Sequence, residues 1–186
     1  MIHPEHYASI PLADIWSRLL SFRGWIDGVC ITGGEPTLHG DLQALVHEVK
    51  EYGFLVKLDT NGSHPETLHD LVDSGAIDFV SMDVKAPLDP LSYRRVTGCS
   101  VDLEALWRSI ELLERSRVAH EFRMTVVPGL HREDDVQRLG RQLNVGPRLI
   151  LQNFNPENPL DPELKTVRPY DPALLKAMER KVQEIS

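Results

Sequence analysis

The chain has 186 residues, 41% hydrophobic and 26% charged, with a formal net charge of −8. That length suits a single domain, 1–186, able to bury a core without staples. The acidic balance, with no basic run beyond Arg94-Arg95, speaks against nucleic acid as a partner. No apolar run approaches a membrane span and no signal-peptide pattern opens the chain, so no membrane partner and a cytoplasmic location are expected. The two cysteines, Cys30 and Cys99, stand outside any C-x-x-C spacing and read as small buried or half-buried thiols.

Residues 1–10 are irregular; His3 and His6 lack a third metal ligand nearby and read as a solvated terminus. From Pro11 the pattern turns helical, with Leu12, Ile15, Trp16, Leu19 and Leu20 on one stripe, Trp16 facing a core and the end near Phe22 to Gly24. A regular alternation follows. A strand over Gly28 to Thr32 precedes a helix carrying Leu42, Leu45, Val46 and Val49. A strand over Phe54 to Asp59 precedes a helix carrying Leu68, Leu71 and Val72, which Ser63-His64-Pro65-Glu66 opens as a capping box. A strand over Ile77 to Val84 leads through a long connection, Leu88 to Ser100, to a helix carrying Leu103, Leu106, Trp107, Ile110 and Leu113. A strand over Phe122 to Val127 precedes a helix around Asp134 to Leu143. A strand over Arg148 to Leu151 leads through a proline-rich stretch to a last helix, opened by Asp171-Pro172.

Short strands alternating with helices predict parallel βαβ units with right-handed crossovers. An incomplete parallel α/β barrel is the first choice and an open doubly wound sheet the second. The lack of a G-x-G-x-x-G fingerprint lowers the dinucleotide form of the latter.

The strands are apolar in their bodies and polar at their C-terminal ends. The first ends in Gly33-Gly34-Glu35, the second in Asp59-Thr60-Asn61-Gly62, the third in Asp83-Val84-Lys85, the fifth in Gln152-Asn153. In a parallel barrel those ends form one rim, where ligands bind. Gly33 and Gly34 let a ligand approach the main chain, and their carbonyls with Glu35 form a nest of acceptors suited to an ammonium. Asp59 and Asn61 are two apart, as are Asp83 and Lys85, so each pair can share a direction. Three acids and one base fit a ligand with an ammonium, a carboxylate and vicinal hydroxyls. The plainer alternatives are a strand-to-helix turn at Gly-Gly-Glu, Asp59 as a turn stabiliser, and Asp83 and Lys85 paired only with each other. The histidines, including His39, His47, His64, His69, His120 and His131, fall in predicted helices or loops and read as surface or packing residues, His131 closest to a strand end. Tyr93-Arg94-Arg95 read as solvated loop residues.

The stretches Asp27 to Thr37, Val56 to Gly62 and Met82 to Pro87, with Glu121 to Val127 and Leu151 to Phe154 behind them, make the chain resemble the radical S-adenosylmethionine (SAM) superfamily. Within it the resemblance is to glycyl radical activases, specifically the activating proteins of anaerobic ribonucleoside-triphosphate reductase. It implies a (β/α)6 partial TIM barrel binding SAM at its strand ends. Gly33, Gly34 and Glu35 would receive the methionine ammonium. Asp59, Asp83 and Lys85, with Asn61 beside them, would contact the methionyl and ribose groups. It further implies a 4Fe-4S cluster that cleaves SAM to a 5'-deoxyadenosyl radical, an electron donor such as flavodoxin or ferredoxin, and a glycyl radical enzyme as protein substrate. The chain departs from the family in lacking the C-x-x-x-C-x-x-C loop that holds the cluster, and the first strand would be missing with it. We therefore assign no catalytic and no metal-ligating residue. Three accounts follow: an activase shorn of its cluster segment or read from an internal methionine, a clusterless SAM-binding relative, or a different barrel with a phosphate site. The strand at Gly28 to Thr32 is expected as an exposed edge that promotes association.

Overall fold

The computed structural model describes residues 9–143, 149–157 and 159–184. The expectations for His3 and His6, and for Arg148 as the start of a strand, lie outside these residues. The element order is α1 (Leu12–Ser21), β1 (Gly28–Ile31), α2 (Leu42–Glu51), β2 (Leu55–Thr60), α3 (Pro65–Asp73), β3 (Phe79–Asp83), α4 (Pro90–Thr97), α5 (Leu103–Arg115), β4 (Ala119–Val126), α6 (Glu133–Leu143), β5 (Leu149–Asn153) and α7 (Pro172–Gln183), with short 3-10 turns at Pro36–Leu38 and Pro162–Thr166.

All five strands are parallel and stand in sequence order, β1-β2-β3-β4-β5. Consecutive parallel neighbours joined by right-handed crossovers put their helices on the same face of the sheet, which is how a barrel grows. This is the incomplete parallel α/β barrel expected, with β1 and β5 as its edges. The convex face carries Val56 and Leu58 of β2, Val80 and Met82 of β3, Phe122, Met124 and Val126 of β4, and Leu149 and Leu151 of β5, all buried against the helices. Each such fully buried side chain contributes about 1.5–3 kcal/mol by leaving water. Trp16 joins this core as expected.

The concave face is the finding that the sequence reading did not contain. Pleating alternates side chains, and the residues between the apolar ones are polar: Lys57, Asp59, Ser81, Asp83, Glu121, Arg123 and Thr125. Register sets them side by side, with Asp59 opposite Ser81 and Asp83 opposite Arg123. Ser81 Oγ donates to Glu121 at 2.7 Å across two strands. Phe79 and Ile150 share this face, which is therefore mainly polar where the other is apolar.

Five local expectations are corrected. The long connection after β3 contains α4, capped by Asp89, which accepts from Ser92 N–H at 2.9 Å, and closed by Gly98 in the left-handed region. It buries Ser92 and Tyr93 and packs Val96 partly against the core, too few apolar positions to read as a stripe; Tyr93 is buried, not solvated. The capping box before α3 does not form: His64 is the N-cap residue without a side-chain cap, Ser63 Oγ bonds its ring, and Glu66 turns to Arg108 instead. His120 lies within β4 rather than in a helix or loop. Both cysteines are exposed, because Cys30 sits on the short edge strand and Cys99 just beyond α4.

Candidate functional site

The ends of β1 to β4 converge. Thr32, Gly33, Gly34, Glu35, Asp59, Thr60, Asn61, Asp83, Lys85 and Arg123 line one open pocket of about 130 Å³. Of the strand-end residues singled out from the sequence, Gly33, Gly34, Glu35, Asp59, Asn61, Asp83 and Lys85 are among them. Gln152 and Asn153 are not: Asn153 instead ties the chain after β5, donating from Nδ2 to the Tyr170 carbonyl at 2.7 Å.

Beyond Ile31 the β1–β2 ladder stops. Gly33 and Gly34 turn with φ of +100° and +55°, and a side chain at either would meet nothing within 4 Å. Among the described residues neither of their carbonyls accepts a hydrogen bond. Two acceptors without a partner therefore belong to residues that line the pocket.

Glu35 does something different from what its position suggested. It is buried, and its carboxylate is committed inward. Oε1 accepts from Thr37 N–H at 3.2 Å, from Thr37 Oγ1 and from Thr60 Oγ1 at 2.7 Å; Oε2 accepts from Asn61 N–H at 2.7 Å. It caps the turn at Pro36–Leu38 and stitches the β1 loop to the end of β2. Asn61 in turn folds its own loop, its Oδ1 accepting from Ser63 N–H at 2.8 Å.

Asp59 and Asp83 are joined through Arg123, a residue that sequence reasoning missed. Arg123 Nη1 lies 2.9 Å from Asp59 Oδ2 and its Nε 3.0 Å from Asp83 Oδ1. Lys57 closes on the other oxygen of Asp59, and Lys85 Nζ lies 2.8 Å from Asp83 Oδ2. The signal was present: Glu121, Arg123 and Thr125 alternate with Phe122, Met124 and Val126, the period of a strand with one polar face. The pocket thus sets two cations, Lys85 and Arg123, against Glu35, Asp59 and Asp83 in place of the single base expected, with Lys57 adding a third charge through its pair with Asp59. Burial pushes the Asp59 carboxyl up, but hydrogen bonds and charge from Lys57 and Arg123 outweigh it and hold it below its usual range. Burial likewise opposes the charge on Arg123, yet the two aspartates raise its pKa. Each carboxylate oxygen of Asp59 and Asp83 has one cationic partner and keeps lone-pair capacity for a further donor.

A second, mostly apolar cavity of about 620 Å³ adjoins through Lys85. Val127, Leu130, His131 and Phe154 are among its walls, at the ends of β4 and β5. Lys85 thus belongs to both a small charged space and a larger, mostly apolar one.

The donor set does not fit an iron–sulfur cluster held on three thiolates. The 186 residues contain two cysteines, and among the described residues no group of three or more His, Cys, Asp or Glu is placed to hold a metal ion. No helix among the described residues is long and apolar enough to cross a membrane.

Comparison with known proteins agrees with the fold. The Radical SAM superfamily matches residues 3–139. The chain is 35% identical over 166 residues to "Putative glycyl-radical enzyme activating enzyme MJ1227" of Methanocaldococcus jannaschii, an alignment covering 87% of this chain and 68% of that protein. Among solved structures it resembles a domain of pyruvate-formate lyase-activating enzyme from Bacteroides vulgatus, with a TM-score of 0.64, 18% identity, and 84% of this chain and 92% of that one covered. It also resembles TYW1 with a lysine-pyruvate adduct bound, with a TM-score of 0.67, 19% identity, and 93% and 60% covered. At those identities the two structures speak for the fold alone. With a family match over more than half of its residues, and with the Methanocaldococcus relative beside it, this chain belongs to the radical SAM superfamily.

Proposed function

We propose that the strand-end pocket binds S-adenosylmethionine, and that the chain is the SAM-binding part of an activase for a glycyl radical enzyme. The observation that carries this reading is the convergence of two uncovered glycine carbonyls with the Asp59–Arg123–Asp83–Lys85 chain in one pocket. The carbonyls of Gly33 and Gly34 accept the α-ammonium. Lys85 and Arg123 supply positive charge for the α-carboxylate. Asp59 and Asp83 keep lone pairs for hydroxyl donors, and the adjoining apolar cavity takes the nucleoside. Glu35 and Asn61 shape the pocket, Glu35 by fixing the loop that presents the carbonyls. When bound, SAM supplies a sulfonium whose carbon–sulfur bond one electron can cleave. The two cysteines of this chain do not build the cluster that delivers that electron, so the binding step is what these residues account for.

The name of the Methanocaldococcus relative and the sequence resemblance favour a glycyl radical enzyme as protein partner, with anaerobic ribonucleotide reductase as the first to test and flavodoxin or ferredoxin as electron donor. The donor set favours a second reading, SAM binding without radical chemistry. Calorimetric titration decides the shared core of both. SAM binds the wild type, and Arg123→Gln weakens it at least about tenfold, the loss expected when one partner of a shielded charge network is removed. Binding of inorganic phosphate at the pocket, with none of SAM, overturns the proposal in favour of a phosphate-site barrel. Addition of the candidate reductase with reductant and SAM then separates the two readings: a glycyl radical signal supports the activase.

A further inference from the structure

His131 is the one histidine among the described residues that is buried, at 1% exposure, and both of its ring nitrogens are engaged. Val127 N–H donates to Nδ1 at 2.9 Å, and Nε2 lies 2.8 Å from the Lys85 carbonyl. A carbonyl only accepts and an amide only donates, so the ring is the neutral tautomer with its proton on Nε2. On the other side of the same residue, Lys85 N–H donates to the Tyr93 hydroxyl at 3.0 Å. The Tyr170 hydroxyl donates to the His131 carbonyl at 2.8 Å and braces the ring's own backbone. The main chain of Lys85 is therefore gripped at both ends, by α4 and by the turn after β4. Lys85 is also the residue shared by the two cavities.

We infer that His131 is a positioning residue: by holding the Lys85 carbonyl through Nε2 it fixes the wall between the two cavities, and protonation at Nδ1 breaks the Val127 bond that keeps the ring placed for that grip. A proton on Nδ1 sets a second donor against Val127 N–H, and the ring can then no longer satisfy both partners. The inference rests on the SAM-binding reading for its ligand readout, but not for the grip itself.

The groups facing the ring come from four elements. Asp135 of α6 favours the charged ring, while Arg95 of α4, 2.8 Å from Asp135, opposes it. Lys85 has its ammonium on Asp83, and Tyr93 and Tyr170 contribute neutral hydroxyls, Tyr93 being pushed up to about 12 chiefly by burial. Burial of His131 is the largest influence and lowers its pKa below 6.5. Its charge change therefore falls on the acid side of neutrality.

Two substitutions separate position from packing. His131→Gln places an amide N–H where Nε2 stands and keeps the bond to Lys85. His131→Asn places an oxygen where Nδ1 stands and keeps the bond to Val127. Each loses one hydrogen bond, so their stabilities should be similar. At neutral pH, His131→Gln should bind SAM within about threefold of the wild type and His131→Asn about tenfold more weakly, the scale of one buried hydrogen bond. Wild-type affinity should fall as pH drops below 6.5, and both variants should lose that dependence. Equal affinities in the two variants, or an unchanged pH profile in either, overturn the inference. Where neither variant folds, Tyr93→Phe, which removes the acceptor of Lys85 N–H, should weaken SAM binding without removing its pH dependence; wild-type affinity in that variant overturns the inference as well. Two readouts need no ligand. Nitrogen-15 shifts of the ring should report the Nε2–H tautomer at neutral pH, and Val127 amide protection should fall as the ring titrates. If SAM fails to bind while both signatures appear, the grip stands and the ligand assignment fails; if the signatures are absent, the grip is wrong.

Discussion

Glutamine at position 35 separates a structural role for Glu35 from a ligand-binding one. The substitution keeps size and shape but removes the charge and turns one oxygen into a donor. Oε1 gathers three donors from Thr37 and Thr60, so the amide oxygen settles there. The amide nitrogen then faces Asn61 N–H, which had an acceptor at 2.7 Å and now has none. A hydrogen bond to a charged group contributes about 1.5–3 kcal/mol, and a buried donor left unmet costs about 1–3 kcal/mol. Asn61 is only partly buried, which favours the lower end, about 3 kcal/mol in all. At about 2–4 °C per kcal/mol for a chain of this size, the melting temperature should fall by about 6–12 °C. Circular dichroism melts of wild type and Glu35→Gln measure this directly. SAM titration well below both transitions should show only a modest loss, since the carbonyls of Gly33 and Gly34 remain. A variant that melts with the wild type but no longer binds SAM would refute the reasoning and make Glu35 the ammonium's partner.

Three further outcomes are expected. Gly33→Ala adds a methyl into open space at a backbone angle that disfavours it, so it should cost about 1 kcal/mol of stability yet weaken SAM at least about tenfold; a variant that binds normally places the ligand elsewhere. Asp59 carries a lowered pKa in the fold, so the unfolded chain takes up its proton first as pH falls. Its ion pairs then stabilise fully above the ordinary value of 3.8 and are lost as pH falls below it. Urea midpoints measured across that range should steepen in the wild type and flatten in Asp59→Asn. The β1 edge, Gly28–Ile31, carries no charge to discourage pairing, so sedimentation should show association rising with concentration; Cys30→Lys should reduce it, and a wild type that stays monomeric throughout removes the edge as its cause.

Much of the fold was legible because its signals are local. Strand and helix alternation fixed the parallel order, and polar residues at strand ends located the pocket down to Asp83 and Lys85. Three parts were not legible, each for a physical reason. Helix α4 is short and mostly polar, held by the Asp89 cap and Gly98, so it offers no periodic stripe. Arg123 gains its meaning only from register, which sets it across from Asp83 and within reach of Asp59; one strand's string does not show its neighbours. The commitment of Glu35 to Thr37, Thr60 and Asn61 depends on loop geometry that brings together residues up to 26 positions apart, so a carboxylate at a strand end reads as a ligand contact until its partners are seen.

The separation of the sheet into a convex apolar side and a concave charged side divides stability from chemistry. Truncating Leu58, Met82 or Phe122 opens a void under the helices, whereas exchanging Lys57, Glu121 or Thr125 opens none and alters the polar contacts of the other face. Tolerance to substitution should therefore run with a period of two along β2, β3 and β4, and lineages of this scaffold can drift in what they recognise while their folding free energy stays nearly constant.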